Sequence, residues 1–141
     1  MQEVEQITDS QQMSTKGGSE AFYTREQIDA YLSYISFPVT KHKAITPESS
    51  RTEGGLTYLS ALQKCQLSNV PFENLLLHYS KERLISIDKD DLFEKIVASK
   101  NGRGGYCMEN NTFFGTILKT MGFEVIPTGA RVLLSGGSGG W

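Results

Sequence analysis

Residues 101–111 read Asn101-Gly102-Arg103-Gly104-Gly105-Tyr106-Cys107-Met108-Glu109-Asn110-Asn111, and the chain after them turns helical in period. Phe114, Ile117, Leu118 and Met121 recur at helical spacing. Glu109 in the first turn, Lys119 in the last and Gly122 just past the end suit the helix dipole and the cap. A glycine-rich turn therefore delivers Cys107 to the first turn of a helix over residues 107–121. Free backbone N–H groups and the positive end of the dipole favour a thiolate at such a place. The same N–H groups can hold an oxyanion during acyl transfer. Gly104 and Gly105 let another group approach the backbone closely. These residues alone leave two readings open. Cys107 is a nucleophile, or it is a cysteine packed at a helix start whose glycines serve only the turn.

Working outward, residues 88–102 give another helix. Asp88, or one of the two aspartates after it, caps the start, Leu92, Phe93, Ile96 and Val97 form the buried face, and Gly102 suits the C′ position. The stretch Arg83-Leu84-Ile85-Ser86-Ile87 alternates and is β-branched, which predicts a short strand. Before it, Pro71 breaks a helix predicted over 57–67, with Thr57 as cap and Leu59, Leu62 and Cys65 on one side. Residues 38–55 are polar and hold Pro38, Pro47, Gly54 and Gly55, so they read as a loop. Thr24 and Gln27 have capping-box spacing, and Ile28, Tyr31, Leu32 and Ile35 mark a helical face that Pro38 ends. Residues 1–20 hold too few large apolar side chains to offset their ordering entropy and read as a disordered tail.

After Gly122 the period changes. Residues 123–126 and 130–134 read as strands separated by Pro127 and Gly129, and two strands alone are marginal. The predicted class is α+β, with a helical bundle over 21–122 and the opening strands of a β-barrel over 123–141. A missing C-terminal part is the expectation. Ser135–Gly140 has linker-like composition.

The 141 residues suit one domain. Lys plus Arg number 14 against 16 for Asp plus Glu, a net charge of -2, which lacks the electrostatic footprint of a nucleic-acid binder. No run approaches the ~18 apolar residues of a membrane span, and no basic-then-apolar leader opens the chain. Two cysteines, Cys65 and Cys107, cannot build a disulfide framework and have no C-x-x-C spacing, so a cytoplasmic protein with reduced thiols is expected. No metal is expected. Asp88-Lys89-Asp90-Asp91 lacks calcium-loop spacing and serves a helix start. Gly102–Gly105 has neither the Walker lysine nor the dinucleotide spacing.

Arg103 to Asn111 strongly resembles the R-G-G-x-C-x-x-x-N active-site signature of arylamine N-acetyltransferases. Val70-Pro71-Phe72-Glu73-Asn74-Leu75 is similar to the family's second characteristic stretch. Met121–Val125 and Gly129–Val132 are similar to the segment leading into its barrel. The resemblance spans residues 22–134 and has a fungal flavour. It implies a ping-pong reaction in which a cysteine takes the acetyl group from acetyl-CoA and gives it to an arylamine, arylhydrazine or N-hydroxyarylamine. By resemblance Cys107 is the nucleophile, while Phe72 and Tyr106 line the substrate site. Arg103 is structural and pairs with Glu73, and Gly104, Gly105 and Asn111 complete the loop that presents Cys107.

The resemblance also places a histidine and then an aspartate further along, beyond Trp141; neither residue type follows Cys107 in this sequence. His42 lies between two lysines and His78 beside an apolar run, and neither matches the family position. The expectation is a truncated triad and weakened acyl transfer, since general-base help is typically worth ~10²–10⁴-fold. The competing readings are a related cysteine acyltransferase or papain-like hydrolase, and a non-catalytic helical fragment that binds another protein.

Overall fold

A computed structural model describes residues 22–38 and 46–130, and every helix in it starts at a capping signal or a turn. Helix α1 covers Arg25–Tyr34. Thr24 Oγ1 accepts from the Gln27 N–H at 3.3 Å, and Gln27 Oε1 accepts from the Thr24 N–H at 2.9 Å. The helix stops short of Pro38, because Ser36 takes a left-handed φ of 55°. The predicted tail over residues 1–20 lies outside the described residues.

Part of the predicted loop over 38–55 is helical. Helix α2 covers Pro47–Ser50, with Thr46 as cap and Pro47 at its first position, where the missing N–H costs nothing. Helix α3 covers Glu53–Asn69 and starts at Thr52, not Thr57. Thr52 Oγ1 accepts from the Gly55 N–H at 3.2 Å. A Cβ on Gly55 would overlap the Ser49 and Ser50 carbonyls, so glycine is what lets α2 lie against α3. Helix α4 covers Leu75–Tyr79.

Helix α5 covers Lys89–Phe93 and opens directly into a π-helical turn, Glu94–Ala98. Asp88 is the cap, its side chain accepting from the Asp90 and Asp91 N–H groups. The helical run ends at Ala98 with Ser99 as cap, so the left-handed residue after the cap is Lys100, with φ 52°, and not Gly102 as predicted, although Gly102 also has a positive φ of 68°. Helix α6 covers Cys107–Thr120, and Gly122 follows it with φ 95°.

The core sits among these helices. Tyr31, Ile35, Leu62, Leu92, Ile96, Phe113 and Ile117 are essentially fully enclosed. Phe113 anchors it, meeting the rings of Tyr23 and Tyr31 edge-on at 5.9 and 5.6 Å. Inside, the Tyr31 hydroxyl donates to Gln66 Oε1 at 2.9 Å, so a buried polar pair is satisfied.

Among the described residues there is no strand. Residues 83–87 are not one: Arg83 has φ 51°, and Leu84 and Ile87 point to solvent with 73% and 54% exposure. Nor do residues 123–126 pair as a strand. Phe123 is instead buried and stacks on Tyr58, with ring centroids 6.4 Å apart. The second predicted strand lies, from residue 131 on, outside the described residues. Alternation alone does not make a strand where no neighbouring strand receives its N–H and C=O groups. The described part of the chain is helical, and its one β feature is an isolated parallel bridge between Phe72 and Gly105.

Candidate active site

That bridge is where the site begins. The Gly105 N–H donates to the Pro71 carbonyl at 3.3 Å, and the Glu73 N–H donates to the Gly105 carbonyl at 3.0 Å. The two stretches singled out in the sequence, 70–75 and 103–111, are thereby zipped together. Glycine is required at both positions. A Cβ on Gly104 would overlap the Pro71 carbonyl, and one on Gly105 would lie 2.6 Å from the Glu109 Cβ.

Charges reinforce the backbone contacts. Arg103 Nε donates to Glu73 Oε1 at 3.0 Å, and its Nη2 lies 2.9 Å from the same oxygen. The pairing expected from the sequence is therefore present. The other oxygen, Glu73 Oε2, accepts from the Leu75 N–H at 2.6 Å. Burial pushes the Glu73 carboxyl up, but the Leu75 N–H, Arg103 and Lys95 together outweigh it and hold the group below its ordinary value.

Cys107 is the first residue of α6, and its free thiol is exposed. The N–H of Tyr106, the cap residue of that helix, is taken up by the Glu109 side chain. Phe72 is 72% exposed and sits across the bridge from Gly105. The half-buried Tyr106 precedes Cys107 and turns its hydroxyl to the Met108 sulfur at 3.1 Å. Asn111 is exposed and makes no side-chain hydrogen bond among the described residues. Its neighbour Asn110 contacts the loop instead, its Nδ2 donating to the Gly105 carbonyl at 2.7 Å and reaching the Pro71 carbonyl at 3.4 Å. His78 lies exposed on α4, and His42 is outside the described residues. Among the described residues no cluster of side chains has the make-up of a metal site.

Three residues, Lys95, Glu109 and Asn110, join the site that the sequence reading had not placed there. Lys95 Nζ lies 2.8 Å from Glu109 Oε1 and 3.2 Å from Glu73 Oε1. Glu109, read as a dipole partner at a helix start, is 1% exposed and accepts from the Tyr106 N–H at 3.1 Å. A signal existed for Lys95: a lysine directly beside the apolar face of Leu92, Phe93, Ile96 and Val97. For Asn110 nothing in the sequence separates it from Asn111. A cavity of about 250 Å³ lies on the inner side of the loop, lined by residues including Leu76, Leu92, Lys95 and Glu109. Cys107 does not line it.

The N-acetyltransferase family profile matches residues 55–139, which include every site residue named here. The chain belongs to the arylamine N-acetyltransferase family. It is 45% identical over 114 residues to the N-malonyltransferase FDB2 of Fusarium pseudograminearum (strain CS3096), covering 78% of this chain and 33% of that protein. Over 77 residues it is 39% identical to the arylamine N-acetyltransferase of Escherichia coli (strain K12), covering 55% of this chain and 26% of the other. The pineal gland isozyme NAT-3 of Gallus gallus, another arylamine N-acetyltransferase, is 39% identical over 79 residues, 56% of this chain and 26% of its own length. The chain thus spans about a third or less of the length of these relatives. No helix among the described residues is long and apolar enough to cross a membrane.

Proposed function

We propose that this chain carries out N-acyl transfer through a thioester on Cys107. The observation that supports the reading is the exposed thiol at the first position of α6, on a loop held by the Arg103–Glu73 pair and two backbone hydrogen bonds. In the first step Cys107 Sγ, as thiolate, attacks the carbonyl carbon of an acyl-CoA. The C–Sγ bond forms, the bond from that carbon to the CoA sulfur breaks, and CoA leaves as a thiolate that takes up a proton. The backbone N–H groups in the first turn of α6 receive the carbonyl oxygen as it gains charge. In the second step an amine nitrogen attacks the Cys107 thioester. The C–Sγ bond breaks, the nitrogen loses a proton, and the thiol is restored.

An arylamine or arylhydrazine is the proposed acceptor, with Phe72 and Tyr106 as the aromatic surface beside the thiol. The closer and longer match to a fungal N-malonyltransferase favours a malonyl over an acetyl group as the one transferred. The cytoplasm, where acyl-CoA and reduced thiols coexist, is the proposed compartment.

The test is intact-mass analysis after incubation with malonyl-CoA or acetyl-CoA. One acyl group is expected on Cys107, more of it malonyl than acetyl, removable by hydroxylamine and absent from Cys107→Ser. A chain that takes up no label, or one whose label survives in Cys107→Ser, overturns the reading.

A further inference from the structure

Lys95 is placed by an irregularity in its own helix. In the π-helical turn Glu94–Ala98 both Ile96 and Val97 are buried, as is Leu92 one turn before them. Lys95 is carried away from that apolar face toward the start of α6, with its side chain 14% exposed. Such turns are rare and are frequent at functional sites. Here the ammonium ends between two carboxylates on different segments, Glu73 on the 70–75 stretch and Glu109 on α6.

The Glu109 carboxylate does two things at once. One oxygen faces Lys95, while the other accepts from the Tyr106 N–H, which belongs to the peptide unit joining Gly105 to Tyr106. The carbonyl of that same unit accepts from the Glu73 N–H and from Asn110 Nδ2. The peptide is therefore fixed at both ends. The next one, joining Tyr106 to Cys107, has its carbonyl bound to the Asn110 N–H at 2.9 Å. Both peptide units before the thiol are thus hydrogen-bonded, and the carboxylate that holds the first lies directly under Gly105.

We propose that Glu109 is a positioning residue for Cys107, acting through the Tyr106 amide, and that Lys95 positions Glu109. What the positioned thiol does rests on the acyl-transfer reading; the positioning itself does not. Removing the acceptor for the Tyr106 N–H frees the loop, whereas removing only the charge of Glu109 leaves it fixed.

The experiment uses the full 141-residue chain and needs no acyl donor, so it fails or succeeds apart from that reading. The variants Glu109→Ala, Glu109→Gln and Lys95→Met are treated with iodoacetamide near neutral pH. The ratio of alkylation at Cys107 to that at Cys65 is read by peptide mass spectrometry, with circular dichroism reporting the fold. Glu109→Ala is expected to change the ratio about tenfold, because the geometry of the reacting group is lost. Glu109→Gln, which retains an acceptor for Tyr106, is expected to stay within about twofold, and Lys95→Met to fall between. Equal effects of Ala and Gln, or a lowered melting temperature with an unchanged ratio, overturn the proposal. Should Glu109→Ala not fold, exchange of the Tyr106 amide proton by NMR decides. Protection in Glu109→Gln with rapid exchange in Lys95→Met sustains the proposal, and equal exchange in both overturns it.

Discussion

Residues 103–110, which lead into α6, and residues 81–87, wholly outside regular structure, are short stretches held in opposite ways. The first is rich in glycine, charge and amide groups, yet Gly104, Gly105 and Glu109 are buried, and its polar contacts tie it both to itself, Glu109 to the Tyr106 N–H, and to a distant segment, Arg103 to Glu73. The second carries the alternating apolar pattern of a strand, yet Leu84 and Ile87 face solvent. Partners decide the difference. Arg103 finds Glu73, and Gly105 finds both Pro71 and Glu73, whereas residues 83–87 have no strand beside them among the described residues.

The comparison is broken most severely by Arg103→Leu. Glu73 would keep Lys95 but lose its closer cation, leaving a largely buried carboxylate half-compensated. Unfolding in urea is expected to show a loss of about 3 kcal/mol, the scale for removing one member of a buried ion pair. A loss below about 0.5 kcal/mol would class the pair with ordinary surface salt bridges.

Acid tests the same pair with a smaller effect. Glu73 is held below its ordinary value of 4.5 in the folded chain. A carboxyl lowered by folding stabilises above its unfolded value, and that contribution disappears as pH falls through the lower folded value. Stability should therefore decline with acid below about pH 4.5, and the decline should be shallower in Glu73→Gln. Identical slopes in the two chains would remove Glu73 as the cause.

Asn110→Ala comes next. It deletes the 2.7 Å bond to the Gly105 carbonyl but leaves the Glu73 N–H on that same oxygen. A net loss of about 1 kcal/mol is expected, with Asn111→Ala near zero as its companion.

These contrasts also show what sequence can carry. The Thr24 and Asp88 caps, the face of α1, the glycine after α6 and the Arg103–Glu73 pair were legible, because each depends on residues at fixed local spacing or on a motif that names its partner. The Thr52 cap and helix α2 were obscured by polar composition, although Thr46-Pro47 is itself a helix-start signal. Phe113 was missed because Phe114 beside it fits the same loose period, and only packing against Tyr23 and Tyr31 separates them. Lys95 reaches Glu109 14 residues away, a partner that its helical period does not name, and Asn110 turns back to the Gly105 carbonyl through a loop geometry that does not distinguish it from Asn111 in sequence.

The smallest effect is the sharpest test of the second stretch. Leu84 is largely exposed but lines the same cavity as Leu76, Leu92 and Glu109. If residues 83–87 contribute little to this fold, Leu84→Ser should change stability by no more than about 0.5 kcal/mol, as for a surface substitution. It should also leave Cys107 alkylation untouched, because the peptide units before the thiol are held by Glu73, Asn110 and Glu109 and not by Leu84. A loss above about 1.5 kcal/mol would mean that Leu84 is substantially buried in solution. The stretch would then be closed over the cavity, and the contrast with residues 103–110 would reduce to one between two ordered segments, one held by charge and the other by apolar contact.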